Sequence, residues 1–318
     1  MAYVNTVLGP IHPDEMGATS PHEHILWGPP GWRYDPEWWF HYPKVFQKCL
    51  ADLVEFRRLG GRTIVDCSGI GLGRDVELYR MLSEFSGVQV VLSTGFWAGT
   101  GVHNFFLDKD IDYLEELFVH ELMQGIGSTG VKAGVIKIGT GFSEFNDFEV
   151  RQHRAAARAA KRTGCAIITH GIQFAMEELD IFESEGLDLS RVIISHIYTV
   201  GATDLERDKI MAKRGAWLLD DHWTLNDTWQ CAHYGISDEI RADLTKAAFD
   251  AGLGDRLLIG ADANLYCVGW QRSNPYTGRT TIADLIRVVP GKLCRVGISE
   301  DVFWRMLTEY PKQIIPIQ

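Results

Sequence analysis

Eight short apolar runs separated by helical stretches limit what this chain can fold into. The first ends in His22-Glu23-His24; the others span 62–68, 88–94, 134–139, 165–170, 191–196, 216–220 and 256–262. Runs this short and this apolar suit strands buried on both faces. Helical patterns are read over 44–59, to about Phe85, and over 110–124, 148–162, 174–185, 203–213 and 237–251, with a final helix over 299–310 capped by Ser299. Strands alternating with helices imply parallel βαβ units, and eight of them close into a (β/α)8 TIM barrel. An open doubly wound sheet is the alternative; the strand count favours the barrel, which needs no second domain and makes 1–318 one unit. Residues 1–19 are expected to form a short N-terminal β-hairpin, with a strand over 3–8 and a turn at Gly9-Pro10.

Other architectures and partners are disfavoured by composition. With 318 residues, 46% of them hydrophobic, the chain can bury a large core. A net charge of -11 and the absence of a basic stripe argue against a nucleic-acid surface. No stretch nears the roughly 18 apolar residues of a membrane span, and the first residues lack a leader pattern. Six scattered cysteines without a C-x-x-C pair read as mostly buried thiols in a reducing compartment, so a cytoplasmic location is expected. The Gly69–Asp75 cluster lacks full G-x-G-x-x-G spacing and an acid for a ribose, so it reads as a tight strand-to-helix turn.

Chemistry enters at the strand ends, where barrel active sites lie. His22 and His24 stand at i and i+2, on one face of a strand. Strand four carries Lys137 in an apolar run, strand five ends in His170, strand six in His196 and strand eight in Asp262. A barrel brings these ends to one mouth. Neutral imidazoles and a carboxylate are metal ligands. Lys137 is the informative member. A buried ammonium is costly, and desolvation favours the free amine. That amine can capture carbon dioxide as a carbamate, an anion with two oxygens that can bridge two cations. A lysine paired with a buried acid is the alternative.

The chain resembles the phosphotriesterase family of the amidohydrolase superfamily. The resemblance rests on His22-Glu23-His24, Gly71-Leu72-Gly73-Arg74-Asp75, the segment from Gly130 to Lys137, Thr169-His170, Ser195-His196 and Asp262, and runs over nearly the whole chain. It implies a binuclear centre of two divalent ions. His22, His24 and Asp262 would bind the more buried one and His170 and His196 the more exposed one. N6-carboxylated Lys137 and a hydroxide would bridge them. Zinc is the expected metal, with manganese or cobalt as alternatives. Two ions about 4 Å apart supply hydroxide at neutral pH, and Asp262 would take its proton.

The same resemblance implies a small-molecule hydrolase, and a homodimer from family habit. The expected substrate is a carbonyl compound (lactone, ester or amide), with promiscuous phosphotriesterase activity. The alternatives are a phosphotriester hydrolase proper, a barrel that holds metal and binds without turnover, and a mononuclear deaminase-like enzyme, which Lys137 disfavours. Lactonases of the family tend to carry a tyrosine after strand three and an arginine after strand seven. Here Phe96-Trp97 and His222-Trp223 stand instead, which weakens a homoserine-lactone reading. An aromatic pocket wall is expected from Trp27, Phe96, Trp97, His222, Trp223, Tyr266 and Trp270, with Trp229 and Tyr234 in the same long loops and Arg272 facing water.

Overall fold

A computed structural model of the chain describes residues 2–36, 40–98, 102–141, 143–225, 236–268 and 281–318. Two short strands, β1 (Val4–Thr6) and β2 (Gly9–Ile11), pair antiparallel. The hairpin is as expected, but its turn is Val7-Leu8. Thr6 Oγ1 donates to Gly9 O at 2.6 Å and closes the turn, while Val7 N donates to Val90 O at 2.9 Å on the main sheet. Pro10 sits opposite Asn5, on a strand edge that needs no donor there.

The main sheet is parallel throughout. It runs β3 (Ala18–Trp27), β4 (Gly61–Asp66), β5 (Gln89–Thr94), β6 (Val135–Lys137), β7 (Ala166–Ile168), β8 (Val192–Ile194), β9 (Trp217–Asp220) and β10 (Leu257–Ile259), each beside the next. A ninth segment, β11 (Asn264–Cys267), pairs with β3 in the register Asn264–His24. Across the break between β10 and β11, Asp262 N donates to His22 O at 3.1 Å and His24 N to Ala263 O at 2.9 Å. The eighth strand is therefore split: its first half pairs with β9, its second with β3, and the (β/α)8 barrel closes. Sequence reading ended this strand at Asp262 and missed β11.

The strands are apolar because both faces are covered. Val192, Ile193, Ile194, Leu257, Leu258 and Ile259 are all fully buried. Each of the six helices that start at 76, 111, 147, 205, 238 and 300 has a side-chain N-cap: Asp75, Asp110, Asn146, Asp204, Ser237 and Ser299. Gly87 and Gly164 end two of them in the left-handed conformation. Besides the one-turn helices Asn104–Leu107 and Pro311–Ile314, a longer one escaped sequence reading, Ala283–Arg295, which carries Pro290 inside and has no side-chain cap at Ile282.

The Gly69–Gly73 stretch is a turn into the helix at Val76, as expected. Arg74 leaves it to form a two-pronged pair with Glu121 at 2.7 and 2.8 Å. On β9, successive side chains oppose each other. Asp220 faces outward to a buried ion pair with Arg241 and a bond from Thr245 Oγ1 at 3.0 Å, which leaves Asp221 facing the mouth. Four of the cysteines, Cys49, Cys67, Cys165 and Cys267, are buried free thiols. No helix among the described residues is long and apolar enough to cross a membrane.

Candidate metal centre

The site is built from β3 outward. Opposite β4 the register slips between Ser20 and Glu23: Ser20 pairs with Ile64 and Glu23 with Asp66, so β3 carries one extra residue. Pro21, which has no N–H to donate, sits in this bulge. Bulges re-aim side chains beside functional sites, and His22 and His24 point together into the barrel mouth.

Hydrogen bonds at Nδ1 fix how the two rings are turned. His22 Nδ1 lies 2.6 Å from Asp221 Oδ2, and a carboxylate there takes an N–H. His24 Nδ1 lies 3.1 Å from Ser68 Oγ, which also reaches Leu26 O at 3.0 Å. Both rings turn Nε2 toward one point. Asp262 Oδ1 meets them there, 3.5 Å from His22 Nε2 and 3.1 Å from His24 Nε2. These three ligand atoms lie within 4.8 Å of one another.

On the other side, His196 Nδ1 contacts Asp221 Oδ1 at 2.9 Å, and His196 N donates to the same oxygen at 3.0 Å. His196 Nε2 is then 2.7 Å from His170 Nδ1. Asp221 thus holds one histidine from each expected ligand set. Lys137 Nζ donates to Thr169 O at 2.6 Å, next to His170. Its charge disfavours protonation of both His22 and His170, one from each set.

Burial sets the charge state. His22 is lowered to about 3, by desolvation first and the Lys137 ammonium second. Desolvation likewise lowers His170 and His196, so all three imidazoles are neutral at neutral pH, the form that binds metal. Desolvation also lowers Lys137, toward its nucleophilic free amine. For Asp221 and Asp262 burial opposes ionisation. The imidazoles outweigh it, with His196 and His22 acting on Asp221, and His22, His222 and His24 on Asp262. Both carboxyls end well below the usual range.

The remaining residues divide. His222 belongs to the centre: its ring stacks on His196 at 4.3 Å, and its Nε2 is 3.3 Å from Asp262 Oδ2. Trp97, half-buried, lies 5.1 Å from the His170 ring. Half-buried Trp27 ends β3, and Tyr266 on β11 stands edge-on to Phe40 at 6.0 Å. Two expectations for the pocket wall are corrected. Phe96 is 1% exposed and packs among Phe106, Phe118 and Phe148, behind the strand rather than in the mouth. Trp223 is fully buried, so its ring is closed to a ligand. Trp270, Trp229, Tyr234 and Arg272 lie outside the described residues.

Sequence reasoning missed Asp221 and the reach of Glu23. Glu23, fully buried, accepts from Ser20 Oγ at 2.5 Å, Ala261 N at 3.1 Å and Ala263 N at 2.8 Å. Burial pushes its carboxyl up to about 8; in the protonated form it donates to Ser20 Oγ and still offers an oxygen to each amide. Both were detectable. Strand alternation forces one of Asp220 and Asp221 inward, and an acid inside a buried run is the same signal as Lys137.

Asp221→Asn is expected to weaken metal binding at both ligand sets together, by roughly 10–100-fold each, because orienting carboxylates carry that much affinity. Isothermal titration of the variant with zinc checks this; a loss confined to one set would contradict the shared role.

A model of the phosphotriesterase family matches residues 2–315. A phosphotriesterase homology protein of Mycobacterium tuberculosis is 34% identical over 280 residues, covering 84% of this chain and 82% of that protein. The N-acetyltaurine hydrolase of Xenopus tropicalis is 26% identical over 346 residues, covering 98% and 97%. A solved structure described as molecular engineering of organophosphate hydrolysis activity from a weak promiscuous lactonase template superposes with a TM-score of 0.88 at 26% identity, covering 98% of this chain and 99% of that one.

Proposed function

Because the chain belongs to the phosphotriesterase family of hydrolases, we propose that it is a binuclear metal hydrolase of carbonyl compounds: a lactone, an ester or an amide. The observation that carries this reading is the convergence of the His22 and His24 Nε2 atoms and Asp262 on one point, with Asp221 tying the two histidine sets together. The donors fit a pair of divalent ions. His22, His24 and Asp262 would hold one, His170 and His196 the other, and Lys137, as its carbamate, would bridge them. Nitrogen-rich sites with carboxylates suit zinc, manganese or cobalt. Such a pair supplies Lewis acidity, polarising the substrate oxygen and acidifying water.

The chain's own groups complete the reaction. Asp262, ionised and acceptor-only, takes the proton released as water adds to the substrate carbon. His222 Nε2, 3.3 Å from Asp262 Oδ2, is within reach to receive it. The proton then goes to the leaving alkoxide or amine as the tetrahedral centre collapses. Half-buried Trp97, beside the His170 ring, would supply apolar wall for the substrate.

The names of the relatives point both ways: a protein of Saccharolobus solfataricus, 26% identical over 314 residues, is named aryldialkylphosphatase, while two others support a carbonyl substrate. One is named for cleaving an amide, and the solved relative derives from a lactonase. His222, in place of an arginine, argues against homoserine lactones. The test is proton release by the metal-loaded protein against lactones, aryl esters, N-acyl amines and phosphotriesters. The expected hit is a carbonyl compound. Faster turnover of phosphotriesters would make them the main substrates, and silence across the panel would favour a metal-holding barrel that only binds.

A further inference from the structure

The break in the eighth strand has to be held open, and the residue that holds it comes from between the two strand histidines. We propose that Glu23 is the positioning residue that fixes Asp262 for metal binding; this rests on the hydrolase reading above. Asp262 adopts φ 49°, the left-handed region that residues with a Cβ disfavour. It does so where the strand gives up its ladder: β10 ends at Ile259 and β11 starts at Asn264.

A buried amide without a partner is costly, and the gap exposes two of them, Ala261 N and Ala263 N. Glu23 takes both, one on each carboxyl oxygen, at 3.1 and 2.8 Å. These two amides flank Asp262. Its own N–H goes to His22 O at 3.1 Å, and His24 N donates to Ala263 O at 2.9 Å. Three consecutive residues of β3 therefore hold three consecutive residues of the split strand through four hydrogen bonds. Two of the three on β3 are the histidines whose Nε2 atoms face Asp262 Oδ1. Whatever fixes Asp262 against Glu23 also fixes it against His22 and His24.

The carboxyl is specified by its surroundings. The two amides are taken one on each oxygen, and among side chains only a carboxyl offers two acceptor oxygens on one planar group. The bulge with Pro21 brings Ser20 Oγ to 2.5 Å as a third partner and locks the group in plane. Glutamine fills the same volume but must turn its NH2 against one of the two amides, whichever way it lies.

The test titrates metal-free wild type, Glu23→Gln and Ser20→Ala with cobalt(II), following the two binding steps by visible absorption, with thermal melting and steady-state kinetics alongside. Glu23→Gln is expected to weaken the step that belongs to His22, His24 and Asp262 by roughly 10–100-fold, the range for groups that orient ligands. The step at His170 and His196 stays near wild type. Turnover falls through kcat with KM little changed, and excess cobalt restores part of it. A general packing defect would weaken both steps together and lower the melting temperature of the metal-free protein. Wild-type affinity in folded Glu23→Gln, or equal weakening of both steps, would overturn the assignment. If Glu23→Gln does not fold, Ser20→Ala carries the test: a few-fold loss at the first step alone supports the role, and an unchanged first step overturns it. Should wild type bind no cobalt, the hydrolase reading fails on its own. The crystal structure of Glu23→Gln then decides the positioning role, which a φ at Asp262 still near its wild-type value would refute.

Discussion

Asp262→Asn is expected to retain metal and lose roughly 10²–10⁴-fold in kcat, the contribution of a positioned general base. The two oxygens of Asp262 have separable tasks. Oδ1 faces His22 Nε2 and His24 Nε2 at 3.5 and 3.1 Å, and Oδ2 faces His222 Nε2 at 3.3 Å. Asparagine can place its carbonyl oxygen on the histidine side and stay a neutral metal ligand. It then turns NH2 toward His222 and cannot take a proton. The shape of the site is kept, so KM changes little, and loss in kcat isolates the proton step. Metal analysis and steady-state kinetics on the best carbonyl substrate check it. Turnover within tenfold of wild type would remove Asp262 from proton transfer. Loss of metal along with turnover would make ligation its dominant task.

Much of this site was legible in the chain because burial is expensive for the wrong residue. The barrel followed from apolar runs that the structure buries on both faces, such as Val192–Ile194 and Leu257–Ile259. Lys137 stood out because an ammonium does not belong in such a run. The misses share a cause: a local pattern was read where a long-range contact decides. Glu23 sits on β3, but its partners are Ala261 and Ala263, more than 200 positions away. The segment β11 was hidden because a residue at positive φ splits one strand into what looks like a strand and a loop. Helix 283–295 was hidden by Pro290 and an uncapped start. Phe96-Trp97 read as one aromatic wall, yet neighbouring side chains at a strand end part company. Phe96 turns back into the apolar layer while Trp97 faces His170.

Lys137→Met is expected to leave the fold intact and to abolish most of the chemistry. Lys137 is 1% exposed, and its Nζ donates to Thr169 O. Its amine is kept against a desolvation cost, so a methionine of similar length should melt at the wild-type temperature or above when metal-free. Function should move the other way. A free amine takes up carbon dioxide to give a carbamate and a proton, and methionine cannot. Without that anion the two histidine sets would lose the protein ligand they share, and the several kcal/mol that a metal pair contributes to the barrier corresponds to about three orders of magnitude in turnover. Bicarbonate should accelerate metal loading of wild type and leave the methionine variant indifferent. Indifference of the wild type to bicarbonate, or turnover by the variant within tenfold of wild type, would reduce Lys137 to a buried structural lysine. A variant that is more stable and nearly inactive would show that the buried amine is retained for chemistry, against the preference of the core around it.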